Sequence, residues 1–220
     1  MFENDIIPIP HRKAIEFLLP RHYSGRKPNI MFAFGWYING KPMAVCTFGK
    51  PASPSLCVGV CGEQYKDRVI ELNRLCREET LDKPLSHFVS RVLKMIDGYI
   101  VVSFSDMAMN HHGYIYQACN FIYTGCTKER TDKYTPNGKH SRHYNNDNQD
   151  GKRLVRSAKH RYIYFCGNKK QKQEWNKNLN YKIQPYPKGD NSNYILGDFL
   201  KNKVLRDGEE ITEPEELKLL

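Results

Sequence analysis

The stretch from Tyr99 to Gly125 constrains the fold more than any other part of this sequence. It opens with an apolar run, Tyr99–Ser105, in which β-branched and aromatic residues predominate, as they do in buried strands. The run stops at Asp106; a polar turn with two histidines and then a series of tyrosines follow. This pattern predicts a strand, a carboxylate at its carboxyl end, a loop and a short helix carrying tyrosines. Ligands of open α/β sheets bind outside the carboxyl ends of strands, and a carboxylate faced by Tyr and His suits proton transfer.

Turn chemistry and periodicity predict the other elements. Asn39-Gly40 is the strongest short hairpin signal, and it joins strands over residues 31–38 and 42–48. A helix from Pro84 to about Ile96 separates a strand over residues 68–76 from the strand at Tyr99; these two strands are parallel if the helix is a crossover. The remaining predictions are a helix over 11–19, a short strand over 56–60, a loop over 127–149 with a turn at 135–138, a strand over 161–166, a helix over 169–179 and an extended segment over 183–189. This order indicates an α/β (α+β) fold with a mixed sheet flanked by helices.

The charge distribution indicates a polyanionic partner. The net charge is +10, the excess of Lys and Arg lies between residues 128 and 203, and residues 207–216 are acidic. Basic residues interleaved with aromatic ones are typical of nucleic-acid-binding surfaces, although a solvated basic face without a partner is the alternative. The candidate phosphate-contacting residues are Lys139, Arg142, Lys152, Arg153, Arg156, Lys159 and Arg161.

Cysteine usage and hydropathy indicate a protein of the cytoplasm. The seven cysteines lie mostly in apolar runs and form no Cys-x-x-Cys pair, so reduced, buried thiols are expected rather than disulfides. The spacing of Cys57 and Cys61 is compatible with a metal knuckle, but no second pair completes one. The N-terminus has no apolar signal core and no run is long enough to span a membrane, so neither secretion nor membrane insertion is expected.

Three stretches together resemble the Mom-type DNA modification proteins of bacteriophages. They are HYSG at residues 22–25, IELNRLC at 70–76 together with the SFSD and GYIYQACNFIYTG block, and KHRYIYFCG with KIQPYPK between residues 159 and 188. The resemblance implies the fold of the GCN5-type N-acetyltransferases. It also implies conversion of adenine in DNA to its N6-carbamoylmethyl form, which blocks restriction enzymes. Residues 1–126 would then be the catalytic core, and residues 127–220 a basic part that completes the sheet and contacts DNA.

The resemblance also implies site residues. Its catalytic residues fall on His22, Tyr37, Asp106 and Tyr116, and its candidate cofactor-binding residues on Arg74 and Ser86. A link between this family and iron makes His22 and Asp106 a candidate Fe²⁺ ligand pair. The partner would be double-stranded DNA from which the adenine is flipped, with Trp36, Tyr37 and Tyr123 as residue types able to stack on it.

The donor is the part that the resemblance defines least. N-acetyltransferases usually bind the pyrophosphate of coenzyme A with a glycine-rich loop before the crossover helix. Residues 77–86 here contain no glycine and three acids. We therefore expect a donor other than simple acetyl-CoA, for which an aminoacyl-type carrier such as a charged tRNA is a candidate beside a CoA-type one.

Each of these assignments has a plain structural alternative. Asp106 can cap the helix that follows, Tyr116 and Tyr123 can be core aromatics, and the two loop histidines can be ordinary polar residues. Glu71 and Arg74 can form an ion pair, and Ser86 can support the start of its helix. Two other functions also fit: an N-acyltransferase acting on a small amine or protein, and a DNA-binding protein without catalytic activity.

Overall fold

A computed structural model describes residues 4–134, 151–189 and 203–211 of the protein. A seven-stranded sheet has the order β1-β2-β3-β4-β5-β9-β6, and a four-stranded antiparallel sheet has the order β11-β10-β8-β7. The strands of the large sheet are β1 (Asn4–Pro8), β2 (Phe32–Ile38), β3 (Lys41–Gly49), β4 (Val69–Arg77), β5 (Tyr99–Asp106), β6 (Ile122–Cys126) and β9 (Lys159–Cys166). Those of the small sheet are β7 (Arg130–Lys133), β8 (Lys152–Arg156), β10 (Val204–Arg206) and β11 (Glu209–Ile211). The helices are α1 (His11–Leu18), α2 (Pro54–Cys61), α3 (Leu85–Met95), α4 (Tyr114–Ala118) and α5 (Lys169–Lys177), and 3₁₀ turns cover Glu63–Arg68 and Met107–Met109.

Strands β4 and β5 form the parallel pair at the centre of the large sheet, and α3 is the crossover between them. Their pairing runs from Val69 opposite Ile100 to Leu72 opposite Ser103. Beyond that point β4 continues to pair with β3, while β5 pairs only with β9. The two strands therefore part, and we call the opening between residues 73–77 of β4 and 104–106 of β5 the fork.

The helices cover the two faces of the large sheet. Side chains of α3, with those of the segment around α4, pack in one cluster with alternate residues of the central strands, including Ile70, Leu72 and Val101. On the other face, residues of α2 and α5 pack on Val69, Ile100 and Val102, and residues of α1 pack on Val45 and Cys76. Both faces of the sheet are thus covered by helices where the fork opens.

The predicted mixed α/β fold is confirmed, as are the hairpin and the parallel pair. Asn39 and Gly40 have φ values of 51° and 77°, as a tight hairpin turn requires. The predicted strand over residues 56–60 is wrong, because these residues belong to helix α2. The Ser53 side chain caps this helix and Pro54 occupies its first turn, and periodicity cannot separate a short apolar run in a helix from one in a strand.

The small sheet was not predicted. Strand β7 falls within the stretch interpreted as a loop, and the predicted turn at residues 135–138 lies outside the described residues. All seven cysteines are free; six are buried and Cys126 is exposed. None of the helices in the described ranges is long and apolar enough to cross a membrane.

Candidate active site at the fork

Tyr23 occupies the centre of the candidate site. It follows α1 in the HYSG turn, where its ring stacks on that of His22 at 4.4 Å and meets the His111 ring edge-on at 5.5 Å. Burial raises the pKa of the Tyr23 phenol, and the negative charges of Asp106, Tyr116 and Glu71 add to this effect while Arg74 opposes it. Groups from the HYSG turn, β4, β5 and α4 therefore surround one protonated phenol.

Asp106 ends β5 and is completely buried. Its Oδ1 accepts hydrogen bonds from the Ala108 backbone N–H at 3.0 Å and from the Ser157 hydroxyl at 2.5 Å. Its Oδ2 accepts from the Lys159 ammonium in an ion pair. The side chain therefore caps the 3₁₀ turn, as the structural alternative expected, and also carries a paired charge into the site. Both of its oxygens therefore have hydrogen-bond donors.

Tyr116 reaches the site from the opposite face of the sheet. Its ring packs at 5.3 Å from the rings of both Phe121 and Tyr162 in the cluster that contains α3. Burial raises the pKa of its phenol to about 12, although the Ser103 hydroxyl lowers it. Since Ser103 forms the last rung of the β4–β5 ladder, the phenol lies where the strands part. Asp106 and Tyr116 therefore approach from different faces, and both influence the Tyr23 phenol.

Glu71 and Arg74 line the β4 side of the fork. Burial raises the pKa of Glu71 against the opposing effect of Arg74 and Lys159. The two side chains do not form the ion pair that the sequence allowed, since Arg74 donates instead to the carbonyls of Asn73 at 2.6 Å and Arg26 at 3.3 Å. The carboxylate of Glu71 makes none of the hydrogen bonds found among the described residues. It is the carboxylate of the site that is free to accept a proton.

His22 is a neutral imidazole. Its Nδ1 accepts a hydrogen bond from the Ser24 N–H at 3.1 Å, which assigns the ring proton to Nε2. Burial lowers its pKa well below the ordinary value, and the charges of Arg74, His111 and Lys159 lower it further. Because Nε2 carries the proton, His22 can donate a hydrogen bond towards the site but cannot act there as a base.

The residues present do not fit the predicted iron site. Across residues 4–134, 151–189 and 203–211, no group of three or more His, Cys, Asp or Glu side chains could hold a metal ion. A metal at Asp106 would have to displace the Lys159 ammonium, and one at His22 Nε2 would require the other tautomer. The same finding removes the metal knuckle suggested by Cys57 and Cys61.

With this geometry defined, comparison with known proteins identifies the family. The model of the Mom protein family matches residues 3–188. The chain belongs to the Mom family. No curated protein is similar enough to match it.

Solved structures similar to this Mom family member include N-acetyltransferases. One from Staphylococcus aureus has 13% sequence identity and a TM-score of 0.46, with 75% of this chain and 99% of that one covered. A Bacillus subtilis acetyltransferase in complex with CoA has 13% identity and a TM-score of 0.39, with the same coverages. At such identities and scores, these likenesses carry no conclusion about ligand or activity.

Three of the four predicted catalytic residues of this Mom family member meet at the fork, and Tyr37 does not join them. Tyr37 lies near the hairpin end of β2, opposite Pro42 and Asp5, and packs in the cluster beneath α1. Trp36 is fully buried against Phe88, so it cannot stack on an extruded base. The suggested role of Trp36 is therefore wrong, and that of Tyr37 stays a prediction without a contact to the site.

The two predicted cofactor-binding residues lie apart. Arg74 is in the site, whereas Ser86 is in the first turn of α3, where its carbonyl accepts from the Ser90 hydroxyl and the Cys119 thiol. The loop before α3 contains no glycine, and Glu78 in it is paired with Arg21 at 2.7 Å. A glycine-rich turn of the kind that binds pyrophosphate is therefore not found at this place, and a donor other than simple acetyl-CoA stays a prediction.

The predicted phosphate-contacting residues have different surroundings. Arg153 is exposed on β8, and Arg156 pairs with Asp132 at 2.8 Å. Lys159 is engaged by Asp106, and the Arg161 guanidinium lies 3.4 Å from the centre of the Tyr181 ring while donating to Thr124. Lys139 and Arg142 lie outside the described residues. Contact of these residues with DNA stays a prediction, for which Arg153 is exposed and donates only to the hydroxyl and carbonyl of Thr131 among the described residues.

Sequence reasoning missed Tyr23 and Glu71 as site residues. Both lie in stretches that carried the resemblance, HYSG and IELNRLC, but each was overlooked beside a neighbour, His22 or Arg74. A usable signal was the position of Glu71 between the apolar residues Ile70 and Leu72 of the strand, since a charged residue in a buried stretch is retained only with a partner or a function.

Proposed function

We propose that this Mom family protein converts adenine in DNA to N6-carbamoylmethyladenine and thereby protects phage DNA from host restriction enzymes. The observation that carries this proposal is the convergence of Glu71, Asp106 and Tyr116 on the buried Tyr23 phenol. A carboxylate without a hydrogen bond, a charge-paired carboxylate and two protonated phenols are suited to moving a proton from a weak nitrogen nucleophile.

Adenine N6 requires help to react, because its lone pair is delocalised into the ring. A positioned proton acceptor contributes typically about 10²- to 10⁴-fold to the rate of such a step. Glu71 fits this role, since its carboxylate is unengaged and burial raises its pKa towards the range of an effective base. Asp106, held by Lys159, would instead orient the amine or stabilise the positive charge that develops on it.

The second half of the step concerns the donor, a carrier of CoA or aminoacyl type. Because the product has a methylene carbon on N6, the carrier must deliver a –CH₂–CO–NH₂ group whose methylene carbon bears the leaving group, since attack at a thioester or ester carbonyl would give an N6-acyl adenine. N6 forms a bond to this methylene carbon, the bond between that carbon and the carrier breaks, and Glu71 takes the N6 proton. Tyr116 donates a proton to the leaving group. Its phenol is protonated at neutral pH, since its pKa lies at about 12. Donor and adenine would enter from the two faces of the sheet and meet at the fork.

Access to N6 requires that the adenine leave the duplex. The net charge of +10 and the exposed arginine on the small sheet support binding to the phosphate backbone. The partly exposed Tyr23 ring lies at the site, backed by the buried His22 ring at 4.4 Å, and provides a surface for an extruded purine.

Restriction digestion of plasmid DNA tests the proposal. DNA from cells that express the protein should resist enzymes whose recognition sites contain adenine, and should remain sensitive to enzymes whose sites contain only G·C pairs. Tyr116→Phe should abolish this resistance, whereas Tyr114→Phe, an exposed residue of the same helix, should retain it. Full sensitivity of the DNA from cells with folded wild-type protein would refute the proposal.

A further inference from the structure

The HYSG turn lies beside three guanidinium groups, those of Arg26, Arg74 and Arg156. Arg26 follows the turn directly, and its carbonyl accepts from the Arg74 side chain at 3.3 Å. Burial lowers the pKa of Arg26, and the charges of Arg156 and Arg74 lower it further, so the three cations are close enough to repel one another. Asp132 opposes this effect, but it is paired with Arg156 at 2.8 Å.

Two buried polar atoms at the same place have no hydrogen-bond partner among the described residues. They are the Ser24 hydroxyl and the Arg74 Nε. Leaving a buried donor unpaired is unfavourable, and such groups in native proteins often mark a site for an ion or ligand. The Arg26 guanidinium likewise makes no ion pair or hydrogen bond with the described part of the chain.

The ligand that satisfies these groups is an anion with several acceptor oxygens. Guanidinium groups match the geometry of phosphate oxygens, and a hydroxyl can donate to a third oxygen. The turn itself adds to this, since Gly25 has a φ of 56° and positive-φ turns can direct successive N–H groups to one side. A monoanion or dianion would also remove the repulsion between the arginines.

We propose that Arg26, Arg74 and the Ser24 hydroxyl form a binding site for one phosphate group at the mouth of the candidate active site. The site deepens the proposed function and rests on it for the identity of the ligand. That ligand is either the phosphodiester next to the target adenine or a phosphate group of the donor. In both cases the contact fixes the reacting molecule relative to Glu71 and Tyr23, which share β4 and the HYSG turn with the phosphate-binding residues.

The test compares three variants in two binding assays. Arg26→Gln removes one cation. Ser24→Ala removes a hydroxyl that makes no hydrogen bond with the described residues, so it should leave the melting temperature unchanged or higher. Arg91→Gln, an exposed residue of α3, is the matched control. The first assay is the salt dependence of affinity for an adenine-containing duplex, and the second is the shift in melting temperature on adding inorganic pyrophosphate.

If the ligand is a DNA phosphate, Arg26→Gln should reduce the slope of log affinity against log salt by about 0.9. The wild type should then bind a duplex with a neutral methylphosphonate next to the adenine more weakly than it binds ordinary DNA. Arg26→Gln should bind the two duplexes equally well. If the ligand belongs to the donor, the slope should stay unchanged and the pyrophosphate shift should be lost. In either case Ser24→Ala should weaken the same interaction several-fold, and Arg91→Gln should behave as the wild type.

The inference is overturned if Arg26→Gln matches Arg91→Gln in both assays, or if the wild type responds to neither probe. Neither assay requires chemistry on adenine. Phosphate binding that depends on Arg26, together with unmodified adenine in the cells, would therefore refute the proposed function and leave the phosphate site standing.

Discussion

Asp106 and Lys159 form an ion pair whose two members are buried to very different degrees, and this predicts unequal effects of neutralising them. The Asp106 side chain is 0% exposed, whereas that of Lys159 is 35% exposed. Asp106→Asn keeps an oxygen that can accept from the Ala108 N–H and the Ser157 hydroxyl, and removes only the charge. Lys159→Met leaves a fully buried carboxylate without a cation.

The magnitudes follow from what each change leaves behind. Breaking a buried pair by removing one partner costs about 3–5 kcal/mol, because the other charge remains uncompensated. This full range applies to Lys159→Met. For Asp106→Asn we expect a smaller loss of about 2 kcal/mol, because the ammonium can turn towards water, and exposed pairs are worth only about 0–1 kcal/mol. The double variant leaves neither charge, so it should be at least about 2 kcal/mol more stable than the sum of the single effects predicts.

Urea unfolding at pH 7, followed by the fluorescence of the buried Trp36 and Trp175, measures all four free energies of unfolding. The reasoning is refuted if the two single effects add within about 0.5 kcal/mol, or if Asp106→Asn costs more than Lys159→Met. The outcome also determines how a loss of DNA modification in Asp106 variants is interpreted. Loss of modification in an Asp106 variant has chemical meaning only where the variant is shown to be folded.

The other predictions concern proton transfer, pH, DNA binding and thiol chemistry. Glu71→Gln should lower the rate of modification by about 10²-fold or more without loss of stability, since the carboxylate it replaces makes no hydrogen bond within the described ranges. Wild-type activity in this variant would exclude Glu71 as the base. Because the pKa of His22 is lowered by folding, the unfolded chain binds a proton at a pH where the folded protein does not. The free energy of unfolding should therefore keep its full value above about pH 6.5 and decline as the pH falls towards the folded pKa. Urea midpoints between pH 5 and 7.5 should decline less in His22→Gln, with exposed His87→Gln as control, and equal declines would contradict the assignment. Arg153→Gln should reduce the salt slope of DNA binding by about 0.9, and an unchanged slope would remove it from the interface. A thiol reagent should label Cys126 in the native protein and the six buried cysteines only after unfolding, which mass spectrometry of the labelled peptides can check.

The central fold was predictable because its signals are local. The Asn39-Gly40 turn determines a hairpin from two residues, and an amphipathic helix between two apolar strands makes those strands parallel neighbours. The failures have equally local causes. Residues 56–60 are too short an apolar run to distinguish a helix from a strand, and the charged strands of the small sheet lack the apolar alternation that indicates a strand.

The candidate site was predictable only in part, because it is built by pairing between distant segments. Asp106 could be identified as a strand-end carboxylate, but its partner Lys159 comes from β9, which inserts between β5 and β6 so that the two residues stand opposite each other. No periodicity in the sequence indicates that register. The central position of Tyr23 depends likewise on the way α1 places the HYSG turn over the fork, and the free state of Glu71 depends on Arg74 turning to backbone carbonyls instead.

The measurement that tests the central claim most directly is mass spectrometry of nucleosides from the DNA of cells that express the protein. The account predicts an adenosine adduct with the mass of the N6-carbamoylmethyl form, present with the wild type and with Tyr114→Phe, and absent with Glu71→Gln and Tyr116→Phe. Unmodified adenosine with soluble, folded wild-type protein, or an adduct that persists in both site variants, would contradict it.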